Sequence, residues 1–208
     1  MTLEARSLGG LVLVLVVSSV AYGQQFVSFL EVSPFADGEN WFLTRPLSYE
    51  LPNTNLLVEV PPGFVTDFAS IPRPLWSLLP TWGQYGPPAV VHDYLYWDQR
   101  CTREQADWIF LLGMEESDVG GIERFVIHRA VRWGGALAWR NNAKRRTAGW
   151  ERVLPPGRRP DSPNTTWETY EAQLYEDGVR PEPRPSPDPP PDYCLKAEVL
   201  WRAFEQAR

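Results

Sequence analysis

Two histidines occur in the chain, and one of them, His92, stands directly before Asp93 in the run 86–96, Gly-Pro-Pro-Ala-Val-Val-His-Asp-Tyr-Leu-Tyr. Asp107 follows on a second helical stretch. A carboxylate that accepts from one imidazole nitrogen fixes the tautomer and leaves the other nitrogen to take a proton from water. That is the equipment of general-base hydrolysis, with His92 as base and Asp107 as orienter. The same residue types also suit a metal. Asp93 could bind a divalent cation such as calcium together with backbone carbonyls of the glycine-bearing loop 82–86. Each residue has a plainer reading beside it. His92 could be a hydrogen-bonded core histidine, Asp107 a first-turn acid that complements its helix dipole, and Tyr94 and Tyr96 packing residues.

Asp67 belongs with this group. It sits in the mostly apolar run 64–72, Phe-Val-Thr-Asp-Phe-Ala-Ser-Ile-Pro, where a charge is costly unless partnered. The candidate partners are Arg73, His92 or a metal shared with Asp93; the alternative is a turn aspartate bonding its own backbone. Ser70 lacks the Gly-x-Ser-x-Gly setting of an activated serine. His128, at helical spacing from Phe125 and Val131, reads as filler.

These side chains need elements to hold them. Pro87 and Pro88 open a helix over 87–97, since proline is tolerated in a first turn. Thr102-Arg103-Glu104-Gln105 is a capping-box start for the next helix, with Thr102 at the N-cap and Gln105 three residues on. With the turn centred near Gln99 and Arg100, His92 and Asp107 lie equally far from it and so at the same height on antiparallel helices. A third helix spans about 122–145, where the pair Gly134-Gly135 marks a kink or a close backbone contact. Before the helices, 26–60 reads as short strands separated by the Asp37-Gly38 and Pro52-Asn53 turns. The expected fold class is α+β, with a small antiparallel sheet over 26–70 packed on a three-helix unit over 87–146.

Beyond Trp150 the composition shifts. Eleven of the 21 prolines fall between Pro155 and Pro191, so 151–192 reads as a Pro-rich linker or arm. A last amphipathic helix is expected over 193–208. At the other end, Arg6 and the apolar run 11–17 precede small residues near 19–23, the pattern of a cleaved export signal over 1–23. The apolar stretch falls short of the roughly 20 residues that span a bilayer, so no transmembrane span is expected in the mature chain. The domain proper is placed at 24–150. Export to the periplasm or beyond makes a disulfide between Cys101 and Cys194 available, with two separate thiols as the alternative. The net charge of −6 disfavours a general nucleic-acid binder. The basic run 140–146 reads as a helix C-terminus rather than a phosphate patch.

The stretch 61–73, Pro-Pro-Gly-Phe-Val-Thr-Asp-Phe-Ala-Ser-Ile-Pro-Arg, followed by 90–96, Val-Val-His-Asp-Tyr-Leu-Tyr, resembles domain-of-unknown-function family 1353, found in phages, prophages and bacteria. The resemblance covers about residues 50–140, including Ala106-Asp107 and 131–135. It implies no assigned activity. A second resemblance is local: His92-Asp93-x-x-Tyr96 with a later helical aspartate is similar to the pattern of secreted phospholipase A(2). It implies His92 as the water-activating base, Asp93 as a calcium ligand, and Tyr96 and Asp107 as orienters. The chain departs from that pattern in lacking dense disulfides, in a glycine loop close to His92, and in a second helix that follows soon.

The expected function is therefore an exported hydrolase-like domain acting on a cell-envelope component, a lipid ester or a glycan-peptide bond. Its site residues are His92 and Asp107, with Asp93 and Asp67 as metal ligands or polar supports, and Tyr96 and Arg73 supporting. The alternative is a non-catalytic binding or structural module at the envelope, contacting a protein partner through its tryptophans and its Pro-rich arm.

Overall fold

The structure, a computed structural model, describes residues 26–68, 84–183 and 189–206. The export signal, Arg73, Ser70 and the Trp82-Gly83 part of the glycine loop lie outside the described residues. The elements in chain order are β1 (Val32–Pro34), β2 (Trp41–Leu43), β3 (Leu47–Glu50), β4 (Leu57–Val60), β5 (Val65–Thr66), α1 (Gly86–Asp98), α2 (Arg103–Glu116), α3 (Gly121–Thr147), α4 (Trp167–Glu176) and α5 (Asp192–Gln206). The α+β class is as expected. The strands form two small antiparallel sheets, ordered β1-β2-β5 and β3-β4, where the sequence suggested one. Strands of two to four residues are too short for alternation alone to fix which strand pairs with which.

In the β3–β4 hairpin the register pairs Leu47 with Val60 and Tyr49 with Val58, and all four side chains are buried. They point the same way because alternate residues of a strand share a face. That face meets α1, which is apolar around most of its circumference, as befits a helix enclosed by other elements. Pro at its first turn admits it, and Gln99 ends it in the left-handed conformation, φ 55°. A residue there turns the chain out of the helix. The turn delivers Cys101 and then Thr102, whose hydroxyl accepts from the Gln105 N–H while the Gln105 side chain accepts from the Thr102 N–H. The capping box forms as the sequence predicts.

α3 runs unbroken through Gly134 and Gly135. Gly135 is the close contact, since a Cβ built there would collide with the Tyr96 hydroxyl, whereas one at Gly134 would meet open space. α5 packs on α2 and is fastened to the α1–α2 turn by the Cys101–Cys194 disulfide, Cα–Cα 5.4 Å. Within the proline-rich stretch the structure has a folded element. Thr166 caps α4 by accepting from the Thr169 N–H. Trp167, Tyr170 and Leu174 of α4 close a second small core with Phe35, Phe42, Val65 and Leu154.

Candidate functional site

Antiparallel α1 and α2 bring His92 and Asp107 to one height. His92 Nε2 lies 3.0 Å from Asp107 Oδ1, and the same oxygen accepts the Tyr96 hydroxyl at 2.6 Å. The other carboxylate oxygen, Oδ2, accepts from Arg103 Nη1 at 3.1 Å and has Arg132 Nη1 at 3.8 Å. Asp107 is fully buried, so this ring of donors supplies what water would otherwise give. The first turn of α2 holds Glu104 as its acid, and Asp107 lies one turn further in. Its position answers to the imidazole and the guanidinium rather than to the helix dipole.

His92 is wedged between rings, 4.1 Å from Tyr96 and stacked 4.7 Å from Phe110, centroid to centroid. Burial first, and then the negative charge of Asp107, holds the Tyr96 phenol far above its ordinary range. The phenol therefore remains a donor, and with it the orientation of the carboxylate is fixed. Asn142 grips the same helix turn, donating from Nδ2 to the Tyr96 carbonyl at 3.1 Å.

One helical step from His92, Asp93 faces the sheet and accepts the Thr66 hydroxyl at 2.6 Å. Thr66 Oγ1 also accepts from the Phe68 N–H at 3.1 Å. Phe68 itself adopts φ 51°, a left-handed conformation uncommon for a bulky residue and costing of order 1–3 kcal/mol. Its ring is buried edge-on against Trp41, centroids 5.2 Å apart, which holds the strained backbone beside Asp67. Asp67 has Arg152 Nη2 at 3.8 Å. Arg152 arrives through a backbone pairing: its carbonyl accepts from the Val65 N–H at 2.8 Å.

These residues share one cleft of about 370 Å³, lined by Asp67, His92, Asp93, Tyr96 and Arg152 and, across from them, by the face of α3 that carries Val131, Gly134 and Asn141. The structure thus gathers four of the sequence candidates, His92, Asp93, Asp67 and Tyr96, at one opening, with Asp107 behind them. Arg152, Thr66 and Arg103 were not foreseen. Calcium takes six to eight oxygen ligands. Among the described residues no group of three or more His, Cys, Asp or Glu side chains is placed to hold a metal ion, and the positive charge facing Asp67 is a guanidinium.

Burial, and next the negative charge of Asp67, raises the Asp93 carboxyl pKa to about 6, against the pull of Thr66, Arg152 and His92. A folded pKa above the unfolded value of 3.8 means the folded state binds the proton more tightly. The contribution to stability is complete below about pH 4 and is lost as the pH rises through about 6. A shift of that size corresponds to roughly 3 kcal/mol. Asp93→Asn keeps an acceptor for Thr66 and removes the charge. It should melt at a higher temperature than the parent at pH 7 and nearly level with it at pH 4, as read by thermal melts across that range. A lower melting temperature at pH 7 would contradict the assignment.

Among the described residues no helix is long and apolar enough to cross a membrane. Neither the curated proteins nor the solved structures yield a match. Residues 41–131 match the model of a family described as protein of unknown function, DUF1353. The matched segment runs from β2 to the middle of α3 and carries Thr66, Asp67, His92, Asp93, Tyr96 and Asp107. Over residues 41–131 the chain is similar to that family.

Proposed function

We propose that the cleft is a general acid–base site for hydrolysis of an acyl linkage, ester or amide, in a cell-envelope component. One observation carries the reading: the buried His92–Asp107–Tyr96 network borders a cleft that Asp67, Asp93 and Arg152 also line. Asp107 engages Nε2, so a general-base role for His92 would run through its other ring nitrogen, Nδ1. Water held there gives its proton to Nδ1 and attacks the acyl carbon. Arg152 is the cation on the cleft wall suited to the developing oxyanion. Asp93, protonated up to about pH 6, is suited to return a proton to the leaving group, two neighbouring groups with separated roles. The Cys101–Cys194 bond supports an exported site of action, because structural disulfides persist in oxidising compartments.

The test is turnover of a panel of chromogenic acyl esters and amides by the parent, His92→Gln and Gly134→Met. Gly134 faces open space on the cleft wall, so methionine there fills the cleft without touching the core and without glycine's helix penalty of about 1 kcal/mol. Both variants should keep the parent's melting temperature within a few degrees. Rates should fall about 10²–10⁴-fold in His92→Gln, the range for loss of a general base, and by at least as much in the filled cleft. Hydrolysis that survives both changes would refute the reading.

A further inference from the structure

The outer face of α3 combines apolar exposure with positive charge. Ile122 is 83% exposed, Phe125 64%, Trp133 85% and Leu137 60%. Ile122, Val126, Arg129, Trp133, Leu137, Arg140 and Lys144 follow one another at steps of three or four, so they form a single stripe along the helix. α3 carries seven Lys or Arg side chains against one carboxylate, Glu123, in a chain whose net charge is −6. Arg129, Arg140 and Lys144 make no ion pair among the described residues, and Arg129 lies over the Phe125 ring, 5.7 Å from its centroid.

We propose that this stripe lies on the surface of an anionic lipid bilayer, with Trp133, Phe125, Leu137 and Ile122 in the headgroup layer and the cations on lipid phosphates. A helix with exposed aromatic and aliphatic residues in line, flanked by arginine and lysine, has the composition of an interfacial helix. A second copy docked stripe to stripe is a poor occupant, because it would set Arg129, Arg140 and Lys144 against the same cations. The run 11–17 of this chain offers no carboxylate to match them. The adjacent stripe of α3, Ala130, Gly134, Ala138 and Asn141, lines the His92 cleft, so docking would set the cleft mouth beside the lipid. The docking itself is read without turnover and stands apart from the chemistry of His92.

The experiment is co-sedimentation of the purified, oxidised protein with vesicles of phosphatidylglycerol and phosphatidylcholine, and with pure phosphatidylcholine. The parent should partition to the anionic vesicles and lose that binding in high salt. Each surface cation contributes about fivefold, so the charge reversals Arg129→Glu and Arg140→Glu together should weaken partition by roughly 25-fold or more. Trp133→Ser with Leu137→Ser should weaken it at least tenfold. All four positions are exposed, and circular dichroism verifies that the fold is kept. Absence of binding to anionic vesicles, equal binding by all variants, or a parent dimer that Trp133→Ser dissociates would each overturn the proposal.

Discussion

Asp107→Ala is expected to remove about 3–5 kcal/mol of folding stability, the usual cost of deleting one partner of a buried ion pair. The carboxylate accepts from His92, Tyr96 and Arg103 with no exposure to solvent. Its loss strands the buried phenol and leaves the Arg103 charge, on a side chain only 18% exposed, without its main counterion. Magnitude separates the two readings of this residue. An acid placed only to complement a helix dipole is worth about 0.3–1 kcal/mol. Asp107→Asn retains the carboxyl-like shape and one acceptor, so a smaller loss of about 1–3 kcal/mol is expected. Urea unfolding of the three proteins measures both. A deficit under 1 kcal/mol for the alanine variant would leave the network without structural weight.

Cys194→Ser should cost about as much by a different route. The bond joins residues 93 apart in sequence, and closing a loop of about that length removes some 4–5 kcal/mol of unfolded-state entropy. The loss has a local address as well. α5 has 15 residues, a length at which an isolated helix is marginal in water, and it is held by its contact with α2 and by this bond. Limited proteolysis should therefore cut α5 in the variant under conditions where the parent resists. Dithiothreitol should lower the urea midpoint of the parent to that of the variant and leave the variant unmoved. Equal midpoints for parent and variant without reductant would show the bond to be dispensable.

The helical hairpin was legible because its signals are local. Two prolines open α1, a capping box opens α2, and a short turn between them places His92 opposite Asp107. The close contact at Gly134-Gly135 was also legible, but not which glycine makes it; that depends on where Tyr96 of another helix points. Arg152 was out of reach. It sits in an irregular segment, and the Phe64↔Val153 bridge and the Val65–Arg152 backbone bond that deliver it to Asp67 leave no pattern in a single sequence. α4 was obscured by the prolines around it, although Trp167, Tyr170, Glu171 and Leu174 recur at helical spacing behind a threonine cap. A ten-residue window among turn formers is too short for that period to outweigh its surroundings. The division into two sheets followed from tertiary packing on strands too short to specify it.

The most direct measurement is the ¹⁵N spectrum of the imidazole nitrogens in labelled protein at a pH where the ring is neutral. The chain has two histidines, so His128→Gln assigns both sets of signals. His92 should show a protonated Nε2, donating to Asp107, and an unprotonated Nδ1 able to accept a proton from the cleft. That preference should collapse in Asp107→Ala. A protonated Nδ1 in the parent would mean that the nitrogen required to act as base is a donor instead, and the acid–base role of His92 would have to be abandoned.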